Sequence, residues 1–182
     1  MLAISNWAAS HTAANFRSQP ETLDQWIQRQ RPKPDVFPCL VAESADLALG
    51  YALASPFHDG CGFACVAELS VYIHPNHAGR RIGSALYQHL IPMLDAQGFQ
   101  VLVAMIALPN PASERLHERF GFQRTGGFTG VGWKFDRWHD ISFWQRSLRP
   151  TDRSPAAIEP ALAAWNVLRN NPSVSLMEGS VE

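Results

Sequence analysis

Along residues 66–74 apolar and polar side chains alternate, with Ala67, Leu69, Val71 and Ile73 set against Glu68, Ser70, Tyr72 and His74. A period of two is that of a strand with one covered face, and it sets Glu68 and Tyr72 together on the other face. After a turn over residues 75–79 the period lengthens. Ile82, Leu86, Leu90, Met93 and Leu94 recur at helical spacing, which predicts a long helix to about Gln97 with Gly98 as its C′ residue. Pro92 removes one backbone bond from that helix and predicts a kink in its last turns. Residues 100–108 are a near-continuous apolar run, the pattern of a strand covered on both faces. Asn110 before Pro111 predicts a capped short helix with Leu116 and Phe120 inward and Gly121 at its end.

The flanks are less regular. Residues 2–10 read as a helix with Leu2, Ile4, Trp7 and Ala8 on one face. A second helix opens at Pro20-Glu21-Thr22, carries Leu23, Trp26 and Ile27 as its stripe, and is ended by residues 31–34. Residues 36–43 and 49–57 read as strands, as do 122–125 and 138–148, the last two separated by the Gly-rich residues 126–132. Beyond Pro150 the chain turns to Pro, Ser and Ala, which predicts a linker, a short helix around residues 161–169 and a frayed tail from 170. The order predicts an α/β sandwich, with one domain over residues 1–149 and an appendage over 150–182.

Composition narrows the function. Fifteen Lys and Arg against sixteen Asp and Glu give a formal net charge of -1, so no broad basic field exists to hold nucleic acid or anionic lipid. Any bound anion must be gripped locally. Cys39, Cys61 and Cys65 are an odd number with no secretory signal before them, which points to a reducing cytoplasm. The apolar runs are too short to cross a bilayer. His58, Cys61 and Cys65 lack a fourth partner at zinc spacing, so no metal is expected.

One such grip is legible at His77-Ala78-Gly79-Arg80-Arg81-Ile82-Gly83-Ser84, where a turn runs into a helix start. Successive N–H groups at a helix N-terminus suit a pyrophosphate, small residues admit it to the backbone, and two arginines add charge. A solvated helix start with two surface arginines explains these eight residues equally well.

The surroundings extend the pattern. Glu68-Leu69-Ser70-Val71-Tyr72-Ile73-His74-Pro75, Gly83-Ser84-Ala85-Leu86-Tyr87-Gln88-His89-Leu90, Arg115-Leu116-His117-Glu118 and Gly132-Trp133-Lys134 resemble the phosphinothricin acetyltransferase branch of the GNAT superfamily. So do Asn15-Phe16-Arg17 and the ending Trp138-His139-Asp140-Ile141-Ser142-Phe143-Trp144-Gln145. The resemblance covers nearly all of residues 2–148. It implies the acyl-CoA N-acyltransferase fold, a mixed and mostly antiparallel sheet flanked by helices, and a cytoplasmic enzyme that pairs as a homodimer. The family's first strand has no counterpart ahead of the first helix, and the segment after Pro150 is one candidate to replace it.

The implied reaction is acetyl transfer from acetyl-CoA, as co-substrate, to a small amine by direct attack in a ternary complex. By resemblance Glu68 is the general base, and His117 donates to or orients the leaving thiolate. A half-exposed polar strand residue and a helix-surface histidine are the plainer readings of these two. The coenzyme would contact Val71, Tyr72, Ile73, Gly79, Arg80, Arg81, Ile82, Gly83, Ser84 and Asn110, though capping alone accounts for Asn110. Phe16 and Arg17 offer an aromatic wall and a carboxylate clamp. His58, beside the added carboxylate of Asp59, is the one titratable histidine in a loop that carries basic residues in the family. Two departures stand out: Ala78 and Arg81 replace the turn's first polar residue and first glycine. They keep open an alternative, a degenerate domain that binds acyl-CoA or a protein partner without catalysis.

Overall fold

A computed structural model describes residues 1–30, 35–150, 152 and 154–169. Two helices open the chain, α1 (Leu2–His11) and α2 (Leu23–Gln30). They are followed by β1 (Cys39–Ser44), β2 (Leu47–Pro56), β3 (Val66–Ile73), α3 (Ile82–Gln97), β4 (Val101–Ala107), α4 (Pro111–Arg119), β5 (Gln123–Lys134), β6 (Arg137–Ser147) and α5 (Ala161–Arg169). Among the described residues the strands form one sheet in the order β1-β2-β3-β4-β6-β5, with β3 and β4 parallel and every other pair antiparallel. This is the mixed, mostly antiparallel sheet with flanking helices that was expected, and no described strand precedes α1.

One face of the sheet carries the main core. Ala52, Ala54, Ala67, Leu69, Leu102, Ala104, Ile106 and Trp144 meet Ile82, Leu86, Leu90 and Leu94 of α3. The expected stripe of α3 is buried throughout, including Met93, and Gly98 closes the helix at φ 103°. On the other face Ile4 of α1 packs against Tyr51 and Leu53. Ser5, Ala8 and Ala9 are also buried, whereas Trp7 is exposed because it falls on the far side of the turn. Thr22 and Gln25 exchange side-chain and backbone hydrogen bonds at the start of α2, a capping box. Of the expected stripe in α2 only Trp26 is buried; Leu23 and Ile27 are exposed. The ending over residues 31–34 and the tail from 170 lie outside the described residues.

Three expectations change. The run through β4 is not covered evenly on both faces. Leu102, Ala104 and Ile106 are buried under α3, but Met105 on the opposite face is 47% exposed, because α1 roofs β2 and β3 and does not reach β4. The Gly-rich residues 126–132 form strand rather than loop. A β-carbon on Gly127 would stand 2.4 Å from the Ile141 carbonyl oxygen, so glycine is what lets β5 pair closely with β6. The connecting turn lies instead at Phe135 and Asp136, both at positive φ, a two-residue hairpin loop. Finally, among the described residues after Pro150 there is no strand. Gln97 holds Val36 and Glu159 through its amide, and Ala161 and Ala164 of α5 bury against Met93.

Candidate active site

The sheet divides at its parallel pair. β3 and β4 are in register only over Val66↔Val101, Ala67↔Leu102 and Glu68↔Val103. Beyond that point β3 stays with β2 to Gly50↔Ile73, while β4 stays with β6 to Ala107↔Ile141. The two halves part like a fork with Glu68 at its apex. Backbone groups of β3 beyond Glu68 therefore face a gap where a partner strand would otherwise satisfy them. Val71, Tyr72, Met105, Asn110 and His117 line this gap.

At the open end of the fork lies a cleft of about 630 Å³. Ile73, Gly79, Arg81, Ile82, Gly83 and Ser84 line it, and α4 adds Arg115, Leu116 and Arg119. The first-turn N–H groups of α3 have no intrahelical acceptor and carry the positive end of its dipole. A β-carbon on Gly83 would already touch Leu116 at 3.2 Å, so its smallness lets α4 close against α3. Arg81 is the N-cap of α3 at φ 60°, ψ 14°. It takes the left-handed conformation that glycine adopts without steric cost, at the position where the family carries a glycine. Arg80 does not line the cleft; its guanidinium turns to His77 Nδ1 at 3.0 Å. Arg115, though part of a quoted motif, and Arg119 had no assigned role from the sequence, where only their i, i+4 spacing on a short helix marks a shared face. The cleft thus gathers helix N–H groups and guanidinium groups, donors that fit a pyrophosphate.

Glu68 lies on the sheet face away from α3, half-buried, and burial raises its carboxyl above the usual range. His117 is not a surface histidine, since it is 2% exposed. Its Nδ1 stands 2.8 Å from the Ser113 carbonyl and its Nε2 3.0 Å from Tyr87 Oη. Burial holds the imidazole below its usual pKa, against the opposing pull of the Ser113 bond. It is therefore a neutral ring with both nitrogens engaged, a geometry suited to orientation. Asn110 caps α4 by accepting from Ser113 N at 3.2 Å.

The segment before α2 sits against the end of the β5–β6 hairpin. Phe16 occupies the space above Gly132, where a β-carbon would come within 2.2 Å of the ring, and its edge meets His139. Lys134 Nζ donates to the Asn15 carbonyl at 2.8 Å. Desolvation, and secondarily the nearby Arg17 charge, lower the Lys134 pKa. Arg17 donates to Glu21 and to Ser5 Oγ, and Glu21 also accepts from Arg29 at 2.9 Å and 3.0 Å. Arg17 is thus a partly buried, anchored cation. His58 stays in its own loop, where Nδ1 accepts from Gly60 N–H at 3.2 Å and the ring lies on Phe63.

Among the described residues no group of three or more His, Cys, Asp or Glu is placed to hold a metal ion, and no helix is long and apolar enough to cross a membrane.

Comparison with known proteins places the fold in a family. Residues 2–122 match the family described as Acetyltransferase (GNAT) family. The chain is 38% identical over 143 residues to a phosphinothricin N-acetyltransferase of Streptomyces viridochromogenes, covering 79% of this chain and 78% of that protein. It is 38% identical over 159 residues to an L-methionine sulfoximine/L-methionine sulfone acetyltransferase of Pseudomonas aeruginosa, covering 85% and 91%. A Salmonella typhimurium acetyltransferase solved with its cofactor acetyl-CoA superposes with a TM-score of 0.80 at 35% identity, over 86% of this chain and 90% of that one.

Proposed function

The chain belongs to the GNAT acetyltransferase family, and on that premise we propose that it transfers the acetyl group of acetyl-CoA to the amino group of a small amino-acid-like substrate. The observation that carries this reading is the fork between β3 and β4, with Glu68 at its apex and the α3 cleft at its mouth.

The α3 N–H groups, Arg81, Arg115 and Arg119 are suited to the coenzyme's phosphates, and the open β3 backbone over Val71, Tyr72 and Ile73 to its amide arm and thioester carbonyl. The coenzyme supplies an acetyl thioester. Glu68, its carboxyl raised by burial, takes the proton of the attacking amine directly or through water. His117 orients the thiol end of the fork. Phe16 and Arg17 wall the amine side, held there by Gly132, Lys134 and Glu21. Attack is direct, within a ternary complex, so no residue is asked to carry the acetyl group.

The test is turnover. Purified protein with acetyl-CoA and a panel of amines should release free thiol in proportion to N-acetylated product. Coenzyme binding by calorimetry without turnover of any amine would sink the reading.

We further read the protein as a cytoplasmic homodimer whose catalytic unit is residues 1–149, with 150–182 accessory. Trp133 and Trp138 meet edge to face at 5.3 Å on the hairpin while 56% and 62% exposed, an apolar surface that a second copy would cover. Sedimentation analysis of the full chain checks the pairing.

A further inference from the structure

Resting on the acetyltransferase reading, we infer that the amine substrate bears a large apolar substituent, aromatic or branched aliphatic, rather than an acidic one. The observation is a second cavity of about 500 Å³ on the sheet face opposite α3. Glu68 stands in its wall, Val103, Met105, Phe128, Phe143 and Phe57 supply its large apolar side chains, and Thr125 and Gln145 are its uncharged polar ones. Met105 also lines the fork, so the two spaces adjoin. An amine whose nitrogen reaches the fork at Glu68 projects its substituent into this space.

The chemistry of the walls selects the substituent. Among the described residues that line the cavity none is cationic, and the one charge is the Glu68 carboxylate. A second carboxylate there would lose its water and face a like charge, which disfavours it twice. An apolar group leaves water and meets apolar side chains. The loop after β2 points the same way. It sends Phe57 into the cavity, braced edge-on by Phe63 at 5.6 Å, while His58 is held by Gly60 and does not line it. Where the family resemblance leads one to expect basic side chains, this chain presents an aromatic rim. Met105 and Phe128, 47% and 59% exposed, are large apolar groups left open to water beside a polar group, as expected of a pocket.

The experiment compares L-phenylalanine and L-leucine with L-glutamate, which share one backbone amine and carboxylate and differ in side chain. Binding to the full chain is read by calorimetry and turnover by thiol release with acetyl-CoA. Phenylalanine and leucine should bind and turn over at least about tenfold better than glutamate. Phe128→Arg, at an exposed position, should shrink that preference about tenfold with melting temperature and acetyl-CoA KM unchanged. Equal or better use of glutamate, or a preference untouched by Phe128→Arg, overturns the inference. If the apolar amino acids bind preferentially yet nothing is acetylated, the pocket assignment holds and the acetyltransferase reading fails. If no amino acid binds or reacts, both fall.

Discussion

Tyr87 Oη and His117 Nε2 stand 3.0 Å apart in a buried contact between α3 and α4. A carbonyl can only accept, so the 2.8 Å approach of Nδ1 to Ser113 O puts the imidazole proton on Nδ1. Nε2 is then the acceptor, and the tyrosine O–H is its donor. One contact joins the helix that lines the cleft to the residue that lines the fork.

Tyr87→Phe removes that donor and leaves a buried nitrogen unpaired, at a cost of about 1–3 kcal/mol. Urea unfolding at pH 7.5 measures it. Acidity adds a second signature. The unfolded chain protonates this imidazole near its ordinary pKa of about 6.5, while the folded chain holds it neutral to lower pH. His117 thus makes stability complete above that value and lost as pH falls through it. His117→Gln should be less stable at pH 7.5, yet lose less on acidification to pH 5.5. An unchanged slope would show that His117 is not the titrating group.

Glu68→Gln should lower kcat/KM by about 10²–10⁴, the range of a general base. Because burial raises the folded carboxyl, its stabilising contribution is full below the unfolded carboxyl range and fades as pH rises through the folded pKa. The glutamine variant should therefore be the more stable protein at pH 8, with the difference closing as pH falls to 4. In the wild type the acidic limb of kcat/KM should lie above the usual carboxylate range.

Arg81→Gly should move stability and binding in opposite directions. Glycine relieves the left-handed backbone at φ 60°, a gain of about 1–2 kcal/mol offset by roughly 0.5–1 of added chain entropy. Melting temperature should rise. The lost guanidinium lines the α3 cleft, so acetyl-CoA affinity should fall about tenfold, and by less in high salt. Tighter binding in the variant would show that the side chain obstructs the phosphates.

Gly132→Ala and Lys134→Met each loosen the segment carrying Phe16 and Arg17. The first drives a methyl into the Phe16 ring, and the second removes the donor to Asn15. Each should cost about 1–3 kcal/mol. The kinetic signature separates positioning from general damage: KM for the amine rises several-fold while KM for acetyl-CoA does not.

Much of this was legible along the chain because the signals are local. The alternation over residues 66–74 set Glu68 and Tyr72 on one face, and the structure keeps them there. The Gly98 end of α3 and the Asn110 cap of α4 likewise depend only on near neighbours. Errors arose where a distant partner decides. Glycine at 126–132 reads as loop by propensity, yet the Ile141 backbone makes it strand. Met105 reads as covered by hydropathy, and is bare because α1 stops short of it. Tyr87, Arg115 and Lys134 lay within or beside motifs already quoted, but nothing local distinguished them from ordinary helix and strand residues.

By itself, then, the chain's pattern determined most of the segments that coil and extend, which face of β3 carries Glu68, and where α3 opens after an arginine-bearing turn, since all three follow from period and capping. Tertiary structure alone decided the rest: where β3 leaves β4, that Arg81 stands at positive φ, that His117 is buried against Tyr87, and that an apolar cavity adjoins Glu68. Those features come from contacts between residues far apart in sequence, set by how the whole sheet twists and which helices roof it.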